Sequence, residues 1–181
     1  MRICIRSNDL LLLLNIFNVG YYDYTKLINS FVCKETYIKM KTVDNIMVKN
    51  VLSVKDTDSV HHARMLLKDK GVRHLPVEDS KSGDYIGMLS QRSLLNYAFK
   101  TVEKYGLSYL EKRERQTPVS EVMLSDGRIA TPDMSLLKAG EHFMSKKISC
   151  LPVVDNKKLV GIVTSVDFVK LSLYFLANKE A

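Results

Sequence analysis

Within seven positions, Gly161-Ile162-Val163-Thr164-Ser165-Val166-Asp167 places a hydroxyl and a carboxylate where an apolar strand runs into a helix. A helix N-terminus presents free N–H groups and the positive end of its dipole, which suits a phosphate. Thr164 adds a hydroxyl beside it, and the Asp167 carboxylate can accept two hydrogen bonds from a ribose diol. The same Thr-x-x-Asp spacing before an apolar run is also a helix capping box, so both readings stand at this stage.

Other chemistry-bearing residues form no centre. His61 and His62 are adjacent on a helical stretch and point in different directions, and His142 has no ligand neighbour in sequence. Cys4, Cys33 and Cys150 are odd in number and widely spaced, which matches neither a disulfide framework nor a zinc site and fits a reducing, cytoplasmic setting. There is no Walker loop, paired-carboxylate pattern or Cys/His nucleophile, so the chain reads as a non-enzyme with no catalytic, metal or cofactor site. The net charge of +7 is dispersed, with no basic run long enough to suit nucleic acid. The apolar stretch through residues 10–19 falls well short of the ~20 residues that span a bilayer. Arg2 and Arg6 precede it as in a secretory signal, but Asp9 interrupts and no small-x-small site follows.

The elements around Thr164 occur twice. Met47, Ala63, Leu75-Pro76-Val77 and Asp79 recur 76 residues on as Met123, Ala139, Leu151-Pro152-Val153 and Asp155. Beyond Asp79 the first copy has two extra residues, so Gly87 matches Gly161. Two copies imply a pair of small folds, since a solenoid needs three or more. Each is too small to be stable alone and is expected to lean on the other.

Each copy reads as strand, helix, strand, strand, helix. The first has a strand at Val51-Leu52-Ser53-Val54 and a helix carrying Val60, Ala63, Arg64 and Leu67 on one stripe, closed near Gly71. Two apolar strands, 72–77 and 85–89, then flank a polar turn, and Leu94, Leu95, Ala98, Phe99 and Val102 mark a closing helix. The second copy repeats this with strands at 128–131, 148–154 and 159–163 and helices around Ala139 and over 167–176. Pro76 and Pro152 are expected at strand ends, because proline cannot donate to a central ladder. Arg113 and Arg115 beside Glu111 and Glu114 read as a solvated linker face.

In this order, Val-x-x-Ile/Val-Met, the Ser-x-x-x-Ala helix, Leu-Pro-Val and Gly-x-x-Thr-x-x-Asp resemble the CBS domain, and two consecutive copies resemble a CBS pair, or Bateman module. The resemblance covers residues 43–176. It implies an α/β fold of α+β type, with two tandem βαββα repeats packed as a pseudo-two-fold pair. The division is an N-terminal extension 1–39, repeat one at 40–104, a charged linker 105–117, repeat two at 118–176 and a tail 177–181. The extension is either genuine and packed on the core, or the product of a misplaced start upstream of Met40. Its lack of periodicity sets the expectation that the repeats do without it.

The resemblance further implies a regulatory homodimer that binds AMP, ADP, ATP or S-adenosylmethionine between the repeats and acts on a separate effector protein. By that likeness Thr164 would contact phosphate or ribose and Asp167 the ribose hydroxyls. Ile148, Ser149, Cys150 and Pro152 would line the adenine, with Ile129 and Ala130 facing the base through their backbone. The first copy departs from the motif: Ser90 matches Thr164, but Ser93 stands where the acid should be. Its weaker site would rely on Ser90, Ser93, Arg92, Arg73 and His74. A ligand-free interaction scaffold, in which Thr164 and Asp167 serve only as a cap, is the alternative, and a nucleic-acid-binding role, suggested by the pI of about 9.2, ranks third.

Overall fold

Short strands alternate with amphipathic helices in both copies. The computed structural model describes residues 40–125 and 127–179, so both readings of the extension 1–39 lie outside the described residues. The first copy runs β1 (Val54–Lys55), α1 (Val60–Asp69), β2 (His74–Glu78), β3 (Tyr85–Ser90) and α2 (Gln91–Tyr105). After a 3-10 turn at Leu107–Tyr109, α3 (Leu110–Gln116) leads into the second copy. That copy contains α4 (Leu136–Lys146), β4 (Cys150–Asp155), β5 (Lys158–Thr164) and α5 (Ser165–Lys179).

Matching local signals start the matching helices. The Ser59 hydroxyl accepts from the His62 N–H at 3.1 Å, and Ser135 accepts from Lys138 at 3.2 Å. One face of α1 then buries Val60, Ala63 and Leu67, while α4 buries Ala139 and Phe143.

The strands are shorter than the apolar runs predict. The expected strand at residues 51–54 is reduced to Val54–Lys55, paired in parallel with Val77 and Glu78. The expected strand at 128–131 is a single bridge, Ala130 to Val153.

The prolines correct the expectation of strand ends. Pro76 lies inside β2 and Pro152 inside β4, both fully buried from neighbouring solvent. Opposite Pro152, both backbone groups of Ile162 point away to Val48, so this antiparallel pair exchanges no hydrogen bonds. Met88, opposite Pro76, likewise bonds outward to Leu124. A proline fits mid-strand at these places because no donor is required of it.

The segments leading into the two copies are exchanged. Val43 donates to the Met134 carbonyl at 2.9 Å, and Val48 pairs with Ile162, so the lead of copy one lies on copy two. Conversely, Val119 donates to Asp58 at 2.8 Å and Leu124 pairs with Met88. Val43 and Met47 therefore complete the core around Leu151, Val153 and Val163, while Val119 completes that around Leu75, Val77 and Leu89. Both glycines of the repeat serve this approach. A Cβ on Gly87 would lie 2.9 Å from the Leu124 carbonyl oxygen, and one on Gly161 would lie 2.5 Å from Met47 Sδ.

The linker also departs from expectation. Glu114 is 3% exposed, with Arg64 Nε 2.9 Å from its carboxylate and His61 Nδ1 at 3.7 Å. Arg64 crosses the α1 stripe and reaches it there, so α3 is docked on α1 instead of lying free in solvent. A second link, Tyr97 Oη to Thr117 Oγ1 at 2.8 Å, ties the end of α3 to α2.

Candidate functional site

In the second copy, the ends of β4 and β5 and the start of α5 bring the expected residues to one corner. Cys150 lies opposite Thr164 in the β4–β5 register, and Asp167 sits one helical turn further on. Asp167 is 7% exposed. Its Oδ2 accepts from the Thr164 backbone N–H at 2.8 Å and from the Thr164 hydroxyl at 2.7 Å. The other oxygen, Oδ1, lies 3.5 Å from Lys170 Nζ, a residue whose side chain is 61% exposed. This is the acid half of the capping box anticipated from the spacing, with the Thr164 hydroxyl donating to the same oxygen and the other carboxylate oxygen loosely engaged.

Burial, reinforced by the nearby Asp167 carboxylate, pushes the Cys150 thiol up to about 12. Cys150 is thus a neutral thiol at physiological pH. Ile148 and Ser149 precede it, and the Ser149 carbonyl accepts from the Ser165 N–H at 3.1 Å, tying this approach to the start of α5. Ala130 donates to the Pro152 carbonyl and accepts from Val154, both at 2.9 Å. Ala130 is buried and Ile129 is 37% exposed. From Cys150 to the Ala130 bridge at Val153 is three strand residues, about 10 Å. The corner therefore offers a hydroxyl and carboxylate at one end and an apolar strand edge at the other.

The first copy has the same frame with different chemistry. The Ser90 N–H donates to Ser93 Oγ at 2.9 Å, and the Ser93 N–H donates back to Ser90 Oγ at 3.1 Å. Ser93 thus takes the place of Asp167 in the cap but brings no charge. His74, opposite Ser90 in the register, stands where Cys150 stands. Burial, then the Arg73 charge, lowers its pKa below the usual imidazole value. Arg73 and Arg92 are both exposed, and the Arg73 carbonyl accepts from the Gln91 N–H at 3.1 Å.

Sequence reasoning did not single out Lys170, although its i+3 spacing from Asp167 carries the signal. Nor did it pair His61, Arg64 and Glu114, because 50 residues separate the last two. A cavity of about 340 Å³ lies beneath α3, lined by Arg64, Ala98, Leu107, Leu110, Glu111 and Glu114, and shares no residue with either corner. Among the described residues, no cluster of three or more His, Cys, Asp or Glu could hold a metal ion. No helix among them is long and apolar enough to cross a membrane.

Two βαββα copies with exchanged leads, each ending in a corner where its last strand runs into its last helix, define a paired α+β domain architecture. The CBS domain model matches residues 43–100 and 119–174, and the chain belongs to that family, with two repeats. The CBS domain-containing protein YhcV of Bacillus subtilis is 32% identical over 142 residues, covering 78% of this chain and 91% of that protein. A putative acetoin utilization protein (AcuB) from Vibrio cholerae has a crystal structure similar at a TM-score of 0.64 and 30% identity, covering 78% of this chain and 96% of that one. CBSX2, solved in complex with AMP, is similar at a TM-score of 0.62 and 29% identity, over 74% of this chain and 97% of that one. Against an uncharacterized protein of Methanocaldococcus jannaschii, 31% identical over 140 residues, the match covers 76% of this chain but 33% of that protein.

Proposed function

We propose that this chain is a regulatory module without catalytic activity, which binds an adenosine-containing ligand at the Thr164–Asp167 corner. The carrying observation is the buried Asp167 carboxylate: Oδ2 is held by Thr164, and among the described residues Oδ1 meets an exposed lysine at 3.5 Å. A carboxylate fixed in this way is oriented to accept a ribose hydroxyl. Ile129, Ala130, Ile148, Ser149, Cys150 and Pro152 supply the edge for the base. AMP, ADP and ATP are the preferred ligands, since the N-terminus of α5 beside Thr164 suits a phosphate, and S-adenosylmethionine is the further choice. The complex of CBSX2 with AMP supports this ligand class. The first-copy site, formed by Ser90, Arg92, Ser93, Arg73 and His74, is the weaker one.

Without chemistry of its own, the module acts in the cytoplasm on an effector protein, as a homodimer. Leu95 and Phe99 on α2 and their counterparts Val169 and Leu173 on α5 are all more than half exposed, which supports self-association. A ligand alters the output only through its differential affinity for two states of the assembly.

A thermal-shift panel of AMP, ADP, ATP, NAD and S-adenosylmethionine tests the reading. Saturation near 100 Kd adds about 2.7 kcal/mol to folding. The scaffold reading also has an observation in its favour, since the Thr164 hydroxyl is spent on Asp167. A panel in which no compound raises the melting temperature favours that scaffold.

A further inference from the structure

The second-copy corner carries a pair of charges that the first copy lacks. Asp167 and Lys170 lie one helical turn apart on α5, with Oδ1 of the acid 3.5 Å from Nζ of the lysine. The register that matches Gly87 with Gly161 also matches Ser93 with Asp167 and Asn96 with Lys170. Acid and cation are thus both replaced by neutral residues in the first copy.

The corner is short of donors for a phosphate, whose oxygens act only as acceptors. The Thr164 N–H and the Thr164 hydroxyl both donate to Asp167 Oδ2, and the Ser165 N–H donates to the Ser149 carbonyl. Those three donors are spent inside the protein. The positive end of the α5 dipole remains, but a bound phosphate still needs a proton donor beside it. Lys170 has protons to give. Its ammonium carries three, and 3.5 Å is too long for a good hydrogen bond to Oδ1. The Lys170 side chain is largely exposed whereas that of Asp167 is buried, so the acid is fixed and the cation can move. A flexible four-carbon stem lets the ammonium shift without moving α5.

We propose, on the basis of the adenosine-ligand reading above, that Lys170 makes the second-copy corner select phosphorylated adenosine ligands over adenosine itself. A ribose hydroxyl that donates to Oδ1 replaces the ammonium there, and the displaced ammonium takes the phosphate. Asp167 reads the sugar and Lys170 reads the charge beyond it. The preference for a nucleotide then lies with a lysine on the rim of the corner and not with the Thr164 hydroxyl.

Isothermal titration of the full chain with AMP and with adenosine is the test. Lys170→Gln should weaken AMP binding by roughly five- to tenfold, the modest worth of a charged hydrogen bond at an exposed lysine. Adenosine should bind this variant as tightly as the wild type or more tightly, because no ammonium competes for Oδ1. Lys170→Arg should keep most of the preference for AMP. A purely structural role would weaken the two ligands alike. An unchanged ratio of AMP to adenosine affinity in Lys170→Gln overturns the role of Lys170 and leaves the ligand reading intact, as does a wild-type chain that binds the two equally. A wild-type chain that binds neither AMP nor adenosine overturns the nucleotide reading together with the role of Lys170.

Discussion

Asp167 holds its two oxygens differently, one tightly and one loosely. Oδ2 closes the cap with Thr164, while Oδ1 lies 3.5 Å from the exposed Lys170 amine and is the acceptor that the proposed ligand reading uses. Asp167→Ala should weaken nucleotide binding by about 1.5–3 kcal/mol, the worth of hydrogen bonds to a charged group, as read by isothermal titration. It also removes the cap, at about 0.5–2 kcal/mol of stability. Asp167→Asn separates the two effects, because an amide oxygen still accepts from Thr164 but carries no charge. Affinity should fall in Asp167→Asn while most of the stability remains; unchanged affinity in both variants would leave Asp167 as a cap alone. In the first copy, Ser93→Asp should create a second stoichiometric site or strengthen the existing one. The new carboxylate lies in the first turn of α2, where the helix dipole favours it by about 0.3–1 kcal/mol. Wild-type stoichiometry and affinity in the folded variant would show that another residue closes this site. Cys150 gives the corner a pH signature. Its thiol holds the proton up to about 12 in the folded chain against 9.0 for an unperturbed thiol, so between these the folded state binds more protons. Stability should therefore fall as pH rises above 9, and Cys150→Ala should lessen that fall in denaturation curves at pH 8 and 10. Parallel losses in both proteins would remove Cys150 as a source.

At the scale of elements, the exchanged leads depend on glycine at two places. Gly87→Ala sets a methyl group 2.9 Å from the Leu124 carbonyl, an obstacle of backbone, and should cost about 1–3 kcal/mol in chemical denaturation. A loss below 0.5 kcal/mol would mean that the lead of copy two yields easily. The βαββα order, both copies and the capping residues were legible in the sequence, because local period and offset carry them. Met47, Met123, Gly87 and Gly161 were visible as landmarks too. Their pairing across copies was not, since an internal repeat looks the same whether its leads stay at home or cross over. For the same reason the mid-strand prolines were misplaced: whether a donor is needed depends on which partner the neighbouring strand bonds. Glu114 read as solvated because its cation lies on another helix. At the corner, Thr164 and Asp167 were legible from spacing, but the division of Asp167's oxygens was not.

At the scale of the whole molecule, the internal symmetry distinguishes two of the apolar surfaces among the described residues. The face of α4 that carries Leu137 and Met144 is exposed, whereas the matching face of α1 carries α3, so this surface belongs to one copy only. Leu95 and Phe99 in one copy and Val169 and Leu173 in the other are exposed alike, by 53–66%. A surface repeated by the pseudo-two-fold suits a symmetric association, where one patch meets its own equivalent. Phe99→Lys combined with Leu173→Lys places a charge at the centre of both patches and should convert a dimer into a monomer in sedimentation velocity. Neither residue belongs to the ligand corner, so titration should still count one strong site per chain. If assembly carries the signal, ligand should shift the wild-type dimer equilibrium and leave the double variant monomeric. The sign of that shift tells which state binds the ligand more tightly, because binding and assembly are reciprocally linked. A double variant that remains dimeric puts the interface elsewhere, and a wild-type chain that sediments as a monomer with and without ligand removes self-association from the mechanism.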